Sequence, residues 1–256
     1  MQTPSPKGLL HIVGTGPGSP LCLTQEAIHA LLSSECICGY PRYLALLPKE
    51  LTTNKTIVSS GMRHEEERCQ KAIDLACQGK EVSLISSGDA GIYALASLTF
   101  ELLERARLLE ELPCHVIAGV PAFCAAAALL GAPLSHDFAC VSLSDLLTPW
   151  MTIEKRLHAV FEADFVVVLY NPKSRGRPHY LARAIEIAKQ YRRDTCPVGI
   201  VRQAYREEES IGLFSLENFD PNIADMLSII IIGNSQSRRI HNKMLTPRGY
   251  HISSQK

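Results

Sequence analysis

The chain has 256 residues, of which 46% are hydrophobic and 20% charged. This composition can bury a sizeable core and excludes disordered and collagen-like classes. Its 26 Lys and Arg balance 26 Asp and Glu, so no whole-molecule field favours nucleic acid or an anionic membrane, and neither is expected as a partner. Nine cysteines, an odd number with no C-x-x-C pair, argue against a disulfide framework or zinc site and for a reducing compartment.

Residues 1–7 are polar and carry no signal-like apolar run. The longest apolar stretch, 122–134, is too short to span a bilayer and is broken by Gly131 and Pro133. A cytoplasmic protein is the expectation.

Along the chain, residues 9–13 read as a strand running into glycines, and Thr24 is placed to cap a helix through Ile28, Leu31 and Leu32. Strands are expected at 37–40 and 56–59. A helix over 65–78 puts Cys69, Ala72, Ile73 and Ala76 on one face, with Gly79 just past its end. A buried strand at 82–86, a helix at about 91–106 and a strand at 114–117 complete a βα alternation, which predicts a mainly parallel sheet. The boundary is placed near residues 118–121, giving domains 1–119 and 120–237 and a basic tail 238–256 that carries Arg238, Arg239, Lys243 and Arg248.

The second half opens with an Ala-rich helix at 123–130. Strands follow at 139–143, 165–170, 198–201, 209–213 and 228–232, with helices at about 152–161 and 180–191. Closely spaced turns predict a mixed α/β sheet with antiparallel edges.

Three loops carry chemistry. Gly14-Thr15-Gly16-Pro17-Gly18-Ser19-Pro20 follows the first strand, but its G-x-G-x-G spacing and two prolines depart from the dinucleotide fingerprint, leaving a plain turn or a ligand loop. Ser86-Ser87-Gly88-Asp89-Ala90-Gly91-Ile92-Tyr93 also ends a strand, and there Asp89 either caps the next helix or orders a ligand loop. Gly119-Val120-Pro121-Ala122-Phe123 joins the two domains. His64, His115, His136, His158 and His179 show no i,i+4 pairing, so no metal is expected.

With these motifs in this order over residues 8–237, the chain resembles the tetrapyrrole methylases. The resemblance implies two α/β domains with a cofactor cleft between them and S-adenosylmethionine as methyl donor. It assigns Pro17, Ser87, Gly88, Asp89 and Ile92, then Ala122, Phe123, Asn171 and Ala204, to donor binding. Gly39-Tyr40-Pro41-Arg42-Tyr43, Gly61-Met62-Arg63 with Glu65 and Arg68, Ser142 through Trp150 and Leu169-Tyr170-Asn171-Pro172 are most similar to the branch that methylates carbon 17 of precorrin-3B with ring contraction. A precorrin macrocycle, or its cobalt-containing analogue, is then the substrate. Arg42, Arg63 and Ser144, with Arg175 and Arg177, face its carboxylates, and Asp145 is the candidate acid or base, unless it caps a helix. A homodimer is implied as well, with the apolar helix at 95–103 as surface to spare. The alternatives are another methylase of the fold, or a nucleotide-binding module without catalysis.

Overall fold

A computed structural model describes residues 8–174, 176 and 178–250. The expectations for residues 1–7, Arg175, Arg177 and residues 251–256 lie outside the described residues. The chain divides into two compact units, Met1–Ala122 and Phe123–Lys256.

The first unit runs β1 Leu9–Gly14, α1 Gln25–Ser33, β2 Cys36–Gly39, α2 Pro41–Leu44, α3 Lys49–Thr52, β3 Thr56–Ser59, α4 Glu65–Cys77, β4 Glu81–Ser86, α5 Ala96–Arg105 and β5 Cys114–Ile117. Its five strands form one sheet in the order β3-β2-β4-β1-β5, and every ladder is parallel. Period-2 alternation splits the strand side chains between two faces. Leu10, Ile12, Cys36, Cys38, Val82 and Leu84 pack under α4 and α5, beside Cys69, Ala72 and Leu103. On the other face Val13, Ile37, Ile85 and Ile117 meet Ala27, Ala30 and Leu31 of α1. Thr24 caps α1, its Oγ1 accepting from the Ala27 N–H at 3.1 Å. Gly79 ends α4 at φ +89°.

Burial raises the thiols on the α4 face. Cys38 is pushed up to about 12 by burial and by its neighbours Cys36 and Cys69, and Cys69 is also raised. The face of α5 that the sequence offers as spare surface belongs to this core: Leu95, Ala96, Thr99, Leu102 and Leu103 are all buried.

The second unit contains β6 Gly131–Ala132, β7 Phe138–Ser142, α7 Trp150–Glu162, β8 Val166–Tyr170, α8 Tyr180–Lys189, β9 Pro197–Arg202, β10 Ser210–Ser215, β11 Ser228–Ile232, β12 Arg238–Ile240 and β13 Lys243–Leu245. It is preceded by α6 Ala122–Leu130, whose first residue closes the first unit. The main sheet has the order β10-β9-β11-β8-β7. Only β7 and β8 are parallel neighbours; β11 inserts antiparallel between β8 and β9, so the antiparallel ladders reach the centre and not only the edges. Val167, Leu169, Val198, Ile200, Ile230 and Ile232 pack under α7 and α8. On the opposite face α6 comes close because residue 199 is glycine; a Cβ there would stand 2.5 Å from Leu130 Cδ1.

The basic tail is not a loose extension. Residues 238–245 form β12 and β13, which pair with β6 in a three-stranded sheet. Met244 is fully buried, and the buried Ser237 and Thr246 hydroxyls lie 2.7 Å apart. The Arg238, Arg239 and Lys243 side chains stay exposed. No helix among the described residues is long and apolar enough to cross a membrane.

Arg192 closes the second unit's core. Its side chain is 2% exposed and donates to the carbonyls of Gly233 (3.0 Å), Phe161 (2.8 Å), Phe165 (2.9 Å) and Tyr191 (3.3 Å), with Asp164 Oδ1 at 3.3 Å. Arg192→Met strands these acceptors, and urea unfolding is expected to show a loss of about 3–5 kcal/mol. A loss below about 1 kcal/mol would mean that water replaces the guanidinium.

Candidate functional site

Because the first unit's sheet is all parallel, the C-terminal ends of its five strands share one edge. The connection leaving β1 goes to β2, and the one leaving the adjacent β4 goes to β5, on the other side of the sheet. Such a reversal opens a crevice between two strand ends, where ligands of open α/β sheets bind. The loops there are 14–20 and 86–93, with 118–122 next to them after β5.

These loops meet backbone against backbone. A Cβ on Gly119 would lie 2.2 Å from Gly88 O and 2.6 Å from Gly14 C. One on Gly14 would lie 2.7 Å from Gly119 N. Gly16 and Gly88 exchange both main-chain hydrogen bonds, at 3.0 and 2.7 Å, and each has φ +72°. The Thr15 N–H and hydroxyl both donate to Ser86 O, and the Thr24 hydroxyl donates to Ala118 O.

Asp89 ties the same loops together. Its Oδ1 accepts from the Gly91 N–H at 2.8 Å and its Oδ2 from the Gly119 N–H at 3.0 Å. It caps no helix: α5 starts only at Ala96, behind Leu95, which makes no side-chain cap. Tyr93 at φ +52° delays the helix. Pro17 is buried, Ser87 and Ile92 are half-buried, and Ala122 begins α6. The surface so formed is mainly main chain, with its one carboxylate already engaged. A Cβ on Gly88 would stand 3.6 Å from Ala122 N, so the missing side chain leaves a cradle of peptide groups that fits the donor implied by the resemblance.

Towards the β3-β2 end of this edge the chemistry changes. Arg42 in α2 and Arg63 after β3 are both exposed, and Arg63 has φ +68°. Arg68 carries no ligand role in the sequence, only a place in the motif after Gly61, although its i,i+4 spacing to Ala72 sets a cation on the buried stripe of α4. It is 4% exposed, and its Nη2 donates to Ser60 O at 2.9 Å and Gly61 O at 2.7 Å.

In the second unit β7, β8 and β9 point the same way, since β11 is antiparallel to both β8 and β9. Their C-terminal ends therefore share an edge that holds Ser144, Asp145, Asn171 and Ala204. Ser142 Oγ accepts from Asn171 Nδ2 at 2.9 Å and from the Ser144 N–H at 3.3 Å. Phe123 N–H donates to the Tyr170 hydroxyl at 3.2 Å. Asn171, Gln203 and Tyr205 all have positive φ, at 52°, 49° and 59°, a strained set of a kind that gathers at binding sites. Asp145 does not cap α7, which starts at Trp150 behind Pro149 with no side-chain cap. Its Oδ2 accepts from the Tyr180 hydroxyl at 2.7 Å, and the Tyr180 ring stacks on Trp150 at 4.1 Å.

At the end of β9, Arg202 Nε lies 2.6 Å from Asp225 Oδ2. Burial alone would raise the Asp225 carboxyl, but hydrogen bonds from Arg202, the Leu227 N–H and the Ser228 hydroxyl outweigh it and hold the group below the usual carboxylate range.

A sequence model described as Tetrapyrrole (Corrin/Porphyrin) Methylases matches residues 9–220. A protein of Salmonella typhimurium named probable cobalt-factor III C(17)-methyltransferase is 48% identical over 244 residues, 95% of this chain and 100% of that one. A Sinorhizobium protein named precorrin-3B C(17)-methyltransferase is 37% identical over 254 residues, 97% and 99% of the two chains. The crystal structure of the methyltransferase CobJ matches with a TM-score of 0.89 and 34% identity, covering 94% of this chain and 100% of that one.

Two outcomes test this geometry. Asn serves as well as Asp at a helix cap, whereas in a carboxylate bridging two N–H donors it turns one acceptor into a donor. Asp89→Asn should therefore cost about 1–3 kcal/mol in urea unfolding and speed hydrogen exchange at the Gly91 and Gly119 amides. Because the folded-state pKa of Asp225 is depressed, its contribution to stability is present above the ordinary Asp value of about 4 and lost as pH falls through the folded value. The stability gap between the parent and Asp225→Asn should then close under acid, and a gap that stays constant with pH would contradict the pairing.

Proposed function

The chain belongs to the tetrapyrrole (corrin/porphyrin) methylases, and on that membership we propose that it transfers a methyl group from S-adenosylmethionine to carbon 17 of a precorrin-3B-type macrocycle, with ring contraction, in cobalamin biosynthesis. The higher identity to the relative named for cobalt-factor III, 48% against 37% for the one named for precorrin-3B, favours the cobalt-containing substrate. The observation that carries the donor site is the contact of Gly14, Gly88 and Gly119 at the strand reversal, which leaves main-chain groups as the binding surface.

When bound, S-adenosylmethionine supplies a methyl group already activated by its sulfonium. What remains for the protein is to bind and align, catalysis by positioning. Pro17, Ser87, Gly88, Asp89, Ile92 and Ala122 serve the donor in the first unit. Phe123, Asn171 and Ala204 serve it in the second, where the Asn171 amide is oriented by Ser142. Arg42, Arg63 and Ser144 serve the macrocycle. Ring contraction also moves protons, and Asp145, paired with the Tyr180 hydroxyl, is the group proposed to give or take one.

The enzyme is further proposed to be a cytoplasmic homodimer. The nine cysteines, an odd number with no C-x-x-C pair, support the location. With the α5 face buried, the exposed Leu146, Leu147 and Met151 are the apolar surface that supports pairing.

Single-turnover assays with cobalt-factor III and precorrin-3B, with identification of the product, test the reaction. Calorimetry should give micromolar binding of S-adenosylhomocysteine, about −8 kcal/mol, and none of NAD. In Asp145→Asn turnover should fall about 10²–10⁴-fold with S-adenosylhomocysteine affinity unchanged. Turnover at the parent rate would leave Asp145 as a partner of Tyr180 only. A monomer mass by light scattering would rule out the dimer.

A further inference from the structure

In the first unit a cavity of about 190 Å³ opens beside the donor loop, lined among others by Tyr40, Tyr43, Arg68, Ser86 and Tyr93. Two of its lining side chains carry polar atoms that are sealed from solvent and have no partner: Arg68 Nε and Ser86 Oγ. Both residues are more than nine-tenths buried, at 4% and 3% exposure. Only Nη2 of the guanidinium donates to the protein among the described residues, and none of the ion pairs there includes Arg68. The Tyr40 ring, 5.9 Å from Arg68 Cζ, offsets part of the charge but offers no lone pair along the N–H direction.

A buried cation without a carboxylate, in the wall of the same cavity as a hydroxyl without a partner, is costly as it stands and balanced once an anion enters and the wall parts to bring both atoms to it. Glu65, which also lines the cavity, is exposed, and its Oε1 already accepts from the Arg63 N–H at 3.2 Å. The cavity is smaller than the roughly 300–1,000 Å³ of a whole-ligand pocket, so it suits a side arm rather than a ring. It lies at the end of β4, and Ser87 of the donor loop also lines it, so a group held there belongs to a molecule that sits against the donor loop.

We propose that this cavity is a carboxylate subsite in which Arg68 and Ser86 receive one acidic side arm of the macrocycle and so set its rotation relative to the methyl donor. The assignment of the arm rests on the tetrapyrrole reading; the carboxylate chemistry of the cavity does not.

The experiment has two arms on the full chain. Saturation-transfer NMR with sodium propionate, at ionic strength matched with chloride, should show saturable binding to the parent, loss in Arg68→Met, weakening in Ser86→Ala and partial retention in Arg68→Lys. In steady-state assays Ser86→Ala and Arg68→Met should raise KM for the macrocycle about 10–100-fold, with KM for S-adenosylmethionine within about twofold of the parent. Arg68→Met also frees the Ser60 and Gly61 carbonyls. Ser86→Ala removes no protein hydrogen bond, so it keeps the test sharp if the first variant folds poorly. If the parent binds propionate through Arg68 but turns over neither macrocycle, the subsite stands and the tetrapyrrole reading fails. If propionate does not saturate, or binds the variants as it binds the parent while KM is unchanged, Arg68 is only a staple for residues 60–61 and the subsite is overturned.

Discussion

The first unit depends on one contact, the meeting of the Gly14, Gly88 and Gly119 backbones at less than side-chain distance. No other residue type fits there, since even a methyl group on Gly119 would meet a carbonyl oxygen at 2.2 Å. Three parallel strand ends are thereby drawn into a continuous surface of peptide groups, and Asp89 gives its two oxygens to N–H groups the junction would otherwise leave open. Charge is consequently displaced along the sheet edge towards β2 and β3, where Arg42, Arg63 and Arg68 stand. Strand order thus separates a main-chain surface from a cationic one within a single edge.

The second unit reaches a comparable edge by another route. Its antiparallel β11 holds β8 and β9 apart in a common direction, and its loops are set by side chains rather than by glycines. Ser142 clamps Asn171 and Ser144, and three non-glycine residues are held at positive φ. Such strain persists only where the surroundings over-determine it. The ladder of β9, β11 and β8 beneath is almost wholly buried isoleucine and valine, and it supplies that rigidity.

Most of the framework was legible because burial writes itself as period. The run at 82–86 and the strand at 114–117 appear in the fold within a residue of expectation, and Thr24 caps α1 as its position suggests. The short strands β6, β12 and β13 were not legible: two or three residues carry no period, and β13 pairs with residues more than a hundred positions away. Asp89 and Asp145 fit helix caps by local sequence, yet the structure gives them long-range partners, Gly119 and Tyr180, that no spacing rule contains. Likewise the apolar face of α5 reads equally as surface or core until its contact with the α4 face is known.

Burial of Cys36, Cys38 and Cys69 against α4 has a further consequence. All three thiols are inaccessible, and burial holds those of Cys38 and Cys69 in the unreactive protonated form, whereas Cys77 and Cys124 stay exposed. Oxidants and alkylating agents therefore meet the folded molecule at its periphery, and reach the α4 face only when the sheet and helices part. The core cysteines act as a chemical record of opening: their modification marks molecules that have already lost the first unit's packing, and the polar adduct then blocks their return to it.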